Sequence, residues 1–353
     1  MRFLLDSGQR AFADALHAML TAADTPAVIR SWSRGDHARG RALWSRIAEA
    51  GVFGLAVPEE YGGAGPHPVE LAVAFVELGR HAVPGPLAET VGAAVLLGDP
   101  PLAGRFLPGL AAGREPATVA APGGYALDGD ASSLRLSPAP DGLYLSTAAP
   151  GPVRRSLDPA RRLTRLAPGG ELLTRGAPYD RALTWIRLAT AAQALGVGLA
   201  LLDRTVTHVR RRTQFGVPIG SFQVVKHRLA DARIALEFAR PLLFGAAASL
   251  RPAEVAAAKL TACEAAYRTA RTALHLHGAI GYTAEYDLSL WLTKARALRS
   301  AWGTPQECRD LVLTDGLQET DGLQETDGLQ ETGRLPETDG LPKTDRLPEA
   351  DVS

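Results

Sequence analysis

Between residues 180 and 312 the chain carries the pattern that most restricts its fold. Leu188, Ala192, Leu195, Leu199, Leu202, Val206 and Val209 recur with a period near 3.6, and no proline interrupts the stretch until Pro218. That spacing puts all seven side chains on one face of a long helix, which must bury the face against other helices. Further helical stretches run from about Phe222 to Leu250, from about Pro252 to His277, and from about Tyr286 to Leu313. Pro252 suits a first helical turn, where its missing amide hydrogen has no partner to lose. Four long helices with short links predict an antiparallel bundle over residues 179–313.

The remaining chain divides by texture. Residues 1–118 predict an N-terminal helical domain. Phe12, Leu16, Met19 and Leu20 lie at helical spacing, as do Leu43, Trp44 and Ile47, and Gly51, Gly54, Pro58, Gly62, Gly63 and Gly65 then break the pattern. Helices are expected again from Val69 to His81 and from Ala88 to Leu97. Residues 119–178 predict a small, shortened β domain, with alternation at Leu134/Leu136 and Leu143/Leu145 between Gly and Pro clusters. From 314 to 353 a hexapeptide close to TDGLQE repeats and drifts. Its period is too short for a solenoid and it lacks aromatic residues, which predicts a disordered tail. The fold class is therefore mainly α with a small middle β domain.

Composition narrows the function. The 353 residues balance 38 basic against 38 acidic side chains. A neutral chain lacks the basic footprint of a nucleic-acid or membrane-surface binder. No run of about 18 consecutive apolar residues predicts a membrane span. The start, MRFLLDSGQRAF, does not read as a signal peptide. Cys263 and Cys308 have no metal-ligand spacing and are expected to be reduced and buried, in a cytoplasmic setting.

Three separated strings carry the chemistry. Residues 44–65 read WSRIAEAGVFGLAVPEEYGGAG, and Glu77-Leu78-Gly79 follows. Residues 212–231 read RTQFGVPIGSFQVVKHRLAD. There Arg212 can pair with a phosphate, Gln214 can hydrogen-bond, and Phe215 offers an apolar face to a ring. Residues 275–286 read HLHGAIGYTAEY. Together and in this order the strings resemble the acyl-CoA dehydrogenase family over about residues 1–312.

The resemblance implies the family's three-domain fold, FAD bound at a subunit interface, an acyl-CoA or related acyl thioester as substrate, and electron-transferring flavoprotein as acceptor. It marks Arg212, Gln214, Phe215, Gln223, His275, Gly278, Gly281, Thr304 and Gln306 as cofactor-binding positions. No metal is implied. His275 stands where the family has glutamine and Ala279 where it has glycine. For His275 two readings stay open, a satisfied core histidine and an FAD ligand. Glu285 is expected to be a structural hydrogen-bonder.

The family reaction needs a carboxylate to take the α-proton while the flavin takes the β-hydride. That glutamate sits in a Y-E-G-T string, and the equivalent string here is Ala301-Trp302-Gly303-Thr304. An alternative base position, on the first bundle helix, falls at Ile186, beside Arg187, which matches a family arginine. Neither Trp302 nor Ile186 can accept a proton, and Glu307 is expected to point elsewhere. The flavin-holding strings of the middle domain are also missing from TVAAPGGYALDGDA at 118–131. The retained features are mostly those that reach a neighbour's FAD. Some family members work as hetero-oligomers in which one subunit type carries the base, notably in actinobacterial steroid side-chain degradation. The sequence therefore predicts a base-less subunit that completes the site of a homologous dehydrogenase subunit. A homomeric flavoenzyme with a hidden base and a cofactor-free helical scaffold are the alternatives.

Overall fold

The structure is a computed structural model that describes residues 5–315. The N-terminal region holds α1 (Ser7–Thr21), α2 (Thr25–Ser33), α3 (Ala38–Glu49), α4 (Pro68–Arg80), α5 (Leu87–Leu96) and α6 (Pro100–Ala111). Asp6 and Gln9 close α1 with a reciprocal capping box. Pro68 and Pro100 open α4 and α6, where a proline costs no hydrogen bond.

Seven short strands follow: β1 (Ala117–Val119), β2 (Tyr125–Leu127), β3 (Leu134–Ala139), β4 (Gly142–Leu145), β5 (Arg154–Arg155), β6 (Arg162–Arg165) and β7 (Glu171–Thr174). They form two small sheets, ordered β1-β3-β4-β7 and β2-β6-β5. β1 runs parallel to β3, and the other pairings are antiparallel. In β3 and β4 the alternating leucines meet, with Leu136 opposite Leu145 and Pro138 opposite Leu143.

The bundle begins with α7 (Tyr179–Arg211), 33 residues and about 50 Å long at 1.5 Å per residue. A two-stranded hairpin, β8 (Thr213–Gln214) and β9 (Val217–Pro218), links it to α8 (Gln223–Ser249). Then come α9 (Pro252–His277) and α10 (Leu288–Ser300). The expected fourth helix, Tyr286 to Leu313, is two. Positive φ angles at Trp302 (56°) and Gly303 (138°) break it, and a new helix begins at residue 305. Apart from residues 314 and 315, the expected repeat tail lies outside the described residues.

α7 is the axis of the fold. It is long and apolar enough to cross a membrane by composition, yet 94% of that apolar window is buried among the other helices. The proximity of its neighbours rests on glycine. A Cβ on Gly196 would lie 1.9 Å from the Val76 carbonyl oxygen of α4, and one on Gly79 would lie 2.2 Å from the Gln193 carbonyl oxygen of α7. Cys263 and Cys308 are free and buried.

Candidate cofactor and acyl-binding site

The sequence-marked positions fall at two places, one at each end of α7. At the C-terminal end, Arg212 caps the helix and its Nη1 donates to the His277 carbonyl at 3.0 Å. That contact ties the hairpin to the end of α9, where Gly278 turns the chain at φ 65°. A Cβ on Gly281 would press within 3.1 Å of His277. Phe215 and Gly216 have φ of 54° and 78°, the two positive angles of a tight hairpin turn. The turn holds the Phe215 ring 91% exposed, edge-on to Phe222. Gln214, Gln223, Ile280 and Tyr282 are exposed around the same corner.

His275 is exposed, which rules out the core-histidine reading. It lines a 400 Å³ cavity with Arg228, Asp231, Arg268 and Arg271. The buried histidine is His277, stacked on His208 and hydrogen-bonded to the Ala273 carbonyl, with burial lowering its pKa. Contrary to expectation, the Glu285 side chain is exposed, and it is the Glu285 carbonyl that accepts from Arg30.

At the other end lies the break after α10. Arg187 Nε donates to the Trp302 carbonyl at 2.9 Å, and the buried Lys259 ammonium donates to the Gly303 carbonyl at 2.6 Å. Trp302 Nε1 donates to Glu89 Oε1 at 2.8 Å. Glu89 comes from α5 and is only 2% exposed. A positive φ on a tryptophan is strained, and these three bonds hold it there. Ile186 is buried and closely packed on Gly92 of α5. Thr304 and Glu307 form a capping box for the next helix, with Glu307 Oε2 accepting from the Thr304 amide at 2.6 Å. That bond pulls the Glu307 pKa down, and it accounts for a carboxylate turned to its own backbone. Gln306 is exposed and bonds Asp310. Near the start of α7, a 540 Å³ cavity in the β domain is walled by Ala120–Gly124, Ser137–Pro140, Arg175 and Tyr179.

Known proteins match over both helical regions. Residues 6–114 match the acyl-CoA dehydrogenase N-terminal domain and residues 178–315 the C-terminal domain. The chain is 32% identical over 285 residues to the acyl-CoA dehydrogenase IpdE2 of Mycobacterium tuberculosis, covering 80% of this chain and 89% of that one. The chain belongs to the acyl-CoA dehydrogenase family. The ChsE4-ChsE5 complex of Mycobacterium tuberculosis is similar in structure, with a TM-score of 0.77 and 25% identity over 91% of this chain and 99% of that one. So is a Tcur3481-Tcur3483 steroid ACAD variant, with a TM-score of 0.78 and 26% identity over 89% and 99%.

Members of the acyl-CoA dehydrogenase family are oxidoreductases of CH–CH bonds, and the fit of FAD can be tested on each end of α7. The hairpin corner fits. It combines a guanidinium, an exposed ring face and a glycine turn that lets backbone come close. The Trp302 end fits less well. Thr304 and Gln306 are exposed but engaged by Glu307 and Asp310, and the β-domain cavity is walled mostly by Ala, Pro and Gly. The Trp302 indole, which the resemblance puts at the base position, is anchored on the buried carboxyl of Glu89. Sequence reasoning located Trp302 and missed Glu89 and Lys259, which lie 213 and 44 residues from their partners. No local spacing signals such pairings.

Proposed function

We propose that this chain is the base-less subunit of a hetero-oligomeric acyl-CoA dehydrogenase that desaturates an acyl-CoA thioester in the cytoplasm. One observation carries the reading. Arg187, beside the Trp302 loop, and Arg212, at the hairpin, lie 25 residues apart on one helix, about 37 Å along its axis. No single FAD spans that distance. The hairpin set therefore serves a dinucleotide held chiefly by another subunit. Arg212 supports the pyrophosphate, Phe215 packs on the cofactor, and Gln214, Gln223, His275, Gly278 and Gly281 line its approach. Thr304 and Gln306 face the partner's hairpin in return. Bound FAD supplies the hydride acceptor, the partner supplies the base, and electron-transferring flavoprotein takes the electrons away. An exposed apolar row on α8, with Ile234, Phe238 and Leu242 one turn apart, suits a homologous subunit as its cover. Both similar structures of the preceding section are named as pairs of chains, and one as a steroid ACAD, so a steroid acyl-CoA is the first substrate to try.

The test is flavin content and native mass of the chain alone and co-expressed with a homologous dehydrogenase that carries the base. FAD should appear only in the mixed complex, at about one per pair, with activity. One FAD per chain in a homo-oligomer would favour a self-sufficient enzyme, and no flavin in either sample would favour a scaffold.

A further inference from the structure

Away from the cofactor corner, α1 and α4 bring His17, Glu77 and His81 together. His17 Nδ1 lies 3.0 Å from Glu77 Oε2 and 3.2 Å from His81 Nε2. All three ligand atoms lie within 4.8 Å of one another. Glu77 and His81 are one helical turn apart and so share a face of α4. His17 reaches them from α1, which is anchored by the buried Leu16 and Leu20 against Leu71 and Leu78 of α4. The frame is thus set by the core, and the three polar tips are carried on it.

The hydrogen bonds of this cluster depend on which ring nitrogens carry protons. His17 Nδ1 carries at most one proton yet faces two acceptors. If instead His81 Nε2 donates to it, its own lone pair points at the Glu77 carboxylate. With His17 Nδ1–H donating to Glu77 and the His81 Nε2 lone pair unprotonated, two acceptors face one proton. One cation bound by all three removes the conflict. Zinc–nitrogen bonds of about 2.0–2.1 Å separate neighbouring ligand atoms by about 2.9 Å at right angles and about 3.4 Å in a tetrahedron. The two short separations fall between those limits.

Charged groups of both signs surround the cluster. Arg80 approaches Glu77 only to 3.8 Å, and its Nη2 donates to Asp203 at 2.8 Å, which offsets its charge. Arg204 lies over the Trp291 ring, 3.7 Å from its centroid, and burial lowers its pKa while Asp287 opposes that shift. His17 and His81 line one 620 Å³ cavity, whose charged walls are Arg80, Arg204, Arg211 and Arg212 with Asp203 and Asp287. We infer that His17, Glu77 and His81 form a binding site for a zinc-class divalent cation, with two imidazole nitrogens and one carboxylate oxygen as ligands. Two nitrogens with one oxygen select zinc, cobalt or nickel over magnesium or calcium.

The test uses the full-length, tag-free chain treated with chelator and then titrated with Co²⁺, whose visible absorption reports nitrogen coordination, and with Zn²⁺ as competitor. The expected result is a visible band saturating at one Co²⁺ per chain and displaced by Zn²⁺, together with a Zn²⁺-dependent rise in melting temperature. His17→Ala and His81→Ala should each weaken Co²⁺ binding at least tenfold. His67→Ala, an exposed histidine at the start of α4, should bind as the wild type does and controls for surface imidazoles. Both site variants should melt within a few degrees of the metal-free wild type, which separates a lost ligand from a lost fold. No band, or a band of equal affinity in His17→Ala and His81→Ala, would overturn the site.

Discussion

Trp302 shows how one side chain draws in its surroundings. Its indole Nε1 donates to Glu89, which is buried. A carboxylate there would set two carboxyls against each other, one of them the buried Glu89. Trp302→Glu should therefore destabilise the chain by about 2 kcal/mol or more, and it should not produce dehydrogenase activity in the chain alone. Urea unfolding measures the cost. Adding Glu89→Gln should recover most of it, since the amide can meet either group, and the double-mutant cycle isolates the coupling. If Trp302→Glu unfolds like the wild type, the Glu89 contact is not what holds the loop.

At the scale of elements, the α4–α7 crossing decides how the N-terminal domain meets the bundle. Gly79 and Gly196 each face the other helix's backbone with no room for a methyl group. Gly196→Ala should cost about 3 kcal/mol, well beyond the small gain in helix propensity. A chemical-denaturation midpoint close to that of the wild type would show that the crossing yields more easily than its contacts imply. The hairpin is the opposite kind of element. Its Phe215 ring is almost fully exposed and contributes little to the fold.

Across the whole molecule, the β domain meets both helical regions through buried polar groups. Lys294 of α10 donates to the Val83 carbonyl at 3.0 Å and faces Asp158 at 3.9 Å. Asp128 lies fully buried near this seam, where burial pushes its carboxyl up to about 8 from an ordinary value near 4. Between those values the native chain holds a proton that the unfolded chain has lost. Stability contributed at Asp128 therefore falls as pH rises through that window. Asparagine cannot ionise, tolerates the positive φ of 50°, and keeps an oxygen for the Arg162 amide. Asp128→Asn should melt close to the wild type near pH 4 and increasingly above it towards pH 8. A difference that stays flat with pH would mean that Asp128 is charged in the native state.

The order of elements was legible because it depends on local periodicity. The stripe from Leu188 to Val209 implies α7 whatever surrounds it, and the glycine and proline clusters bound the strands. The family strings were legible because each is contiguous, and the N- and C-terminal domain matches cover them. The sequence by itself also determined that Trp302 and Ile186 cannot act as bases, since that follows from side-chain chemistry alone. What stands opposite a residue depends on packing between distant segments, and only the tertiary structure decided it. Glu89 under Trp302, Lys259 holding Gly303, and His17 beside Glu77 and His81 each join separate helices. The break after Ser300 belongs with them, because Trp302 and Gly303 keep their positive φ through bonds to Arg187, Lys259 and Glu89, which no nearby sequence encodes.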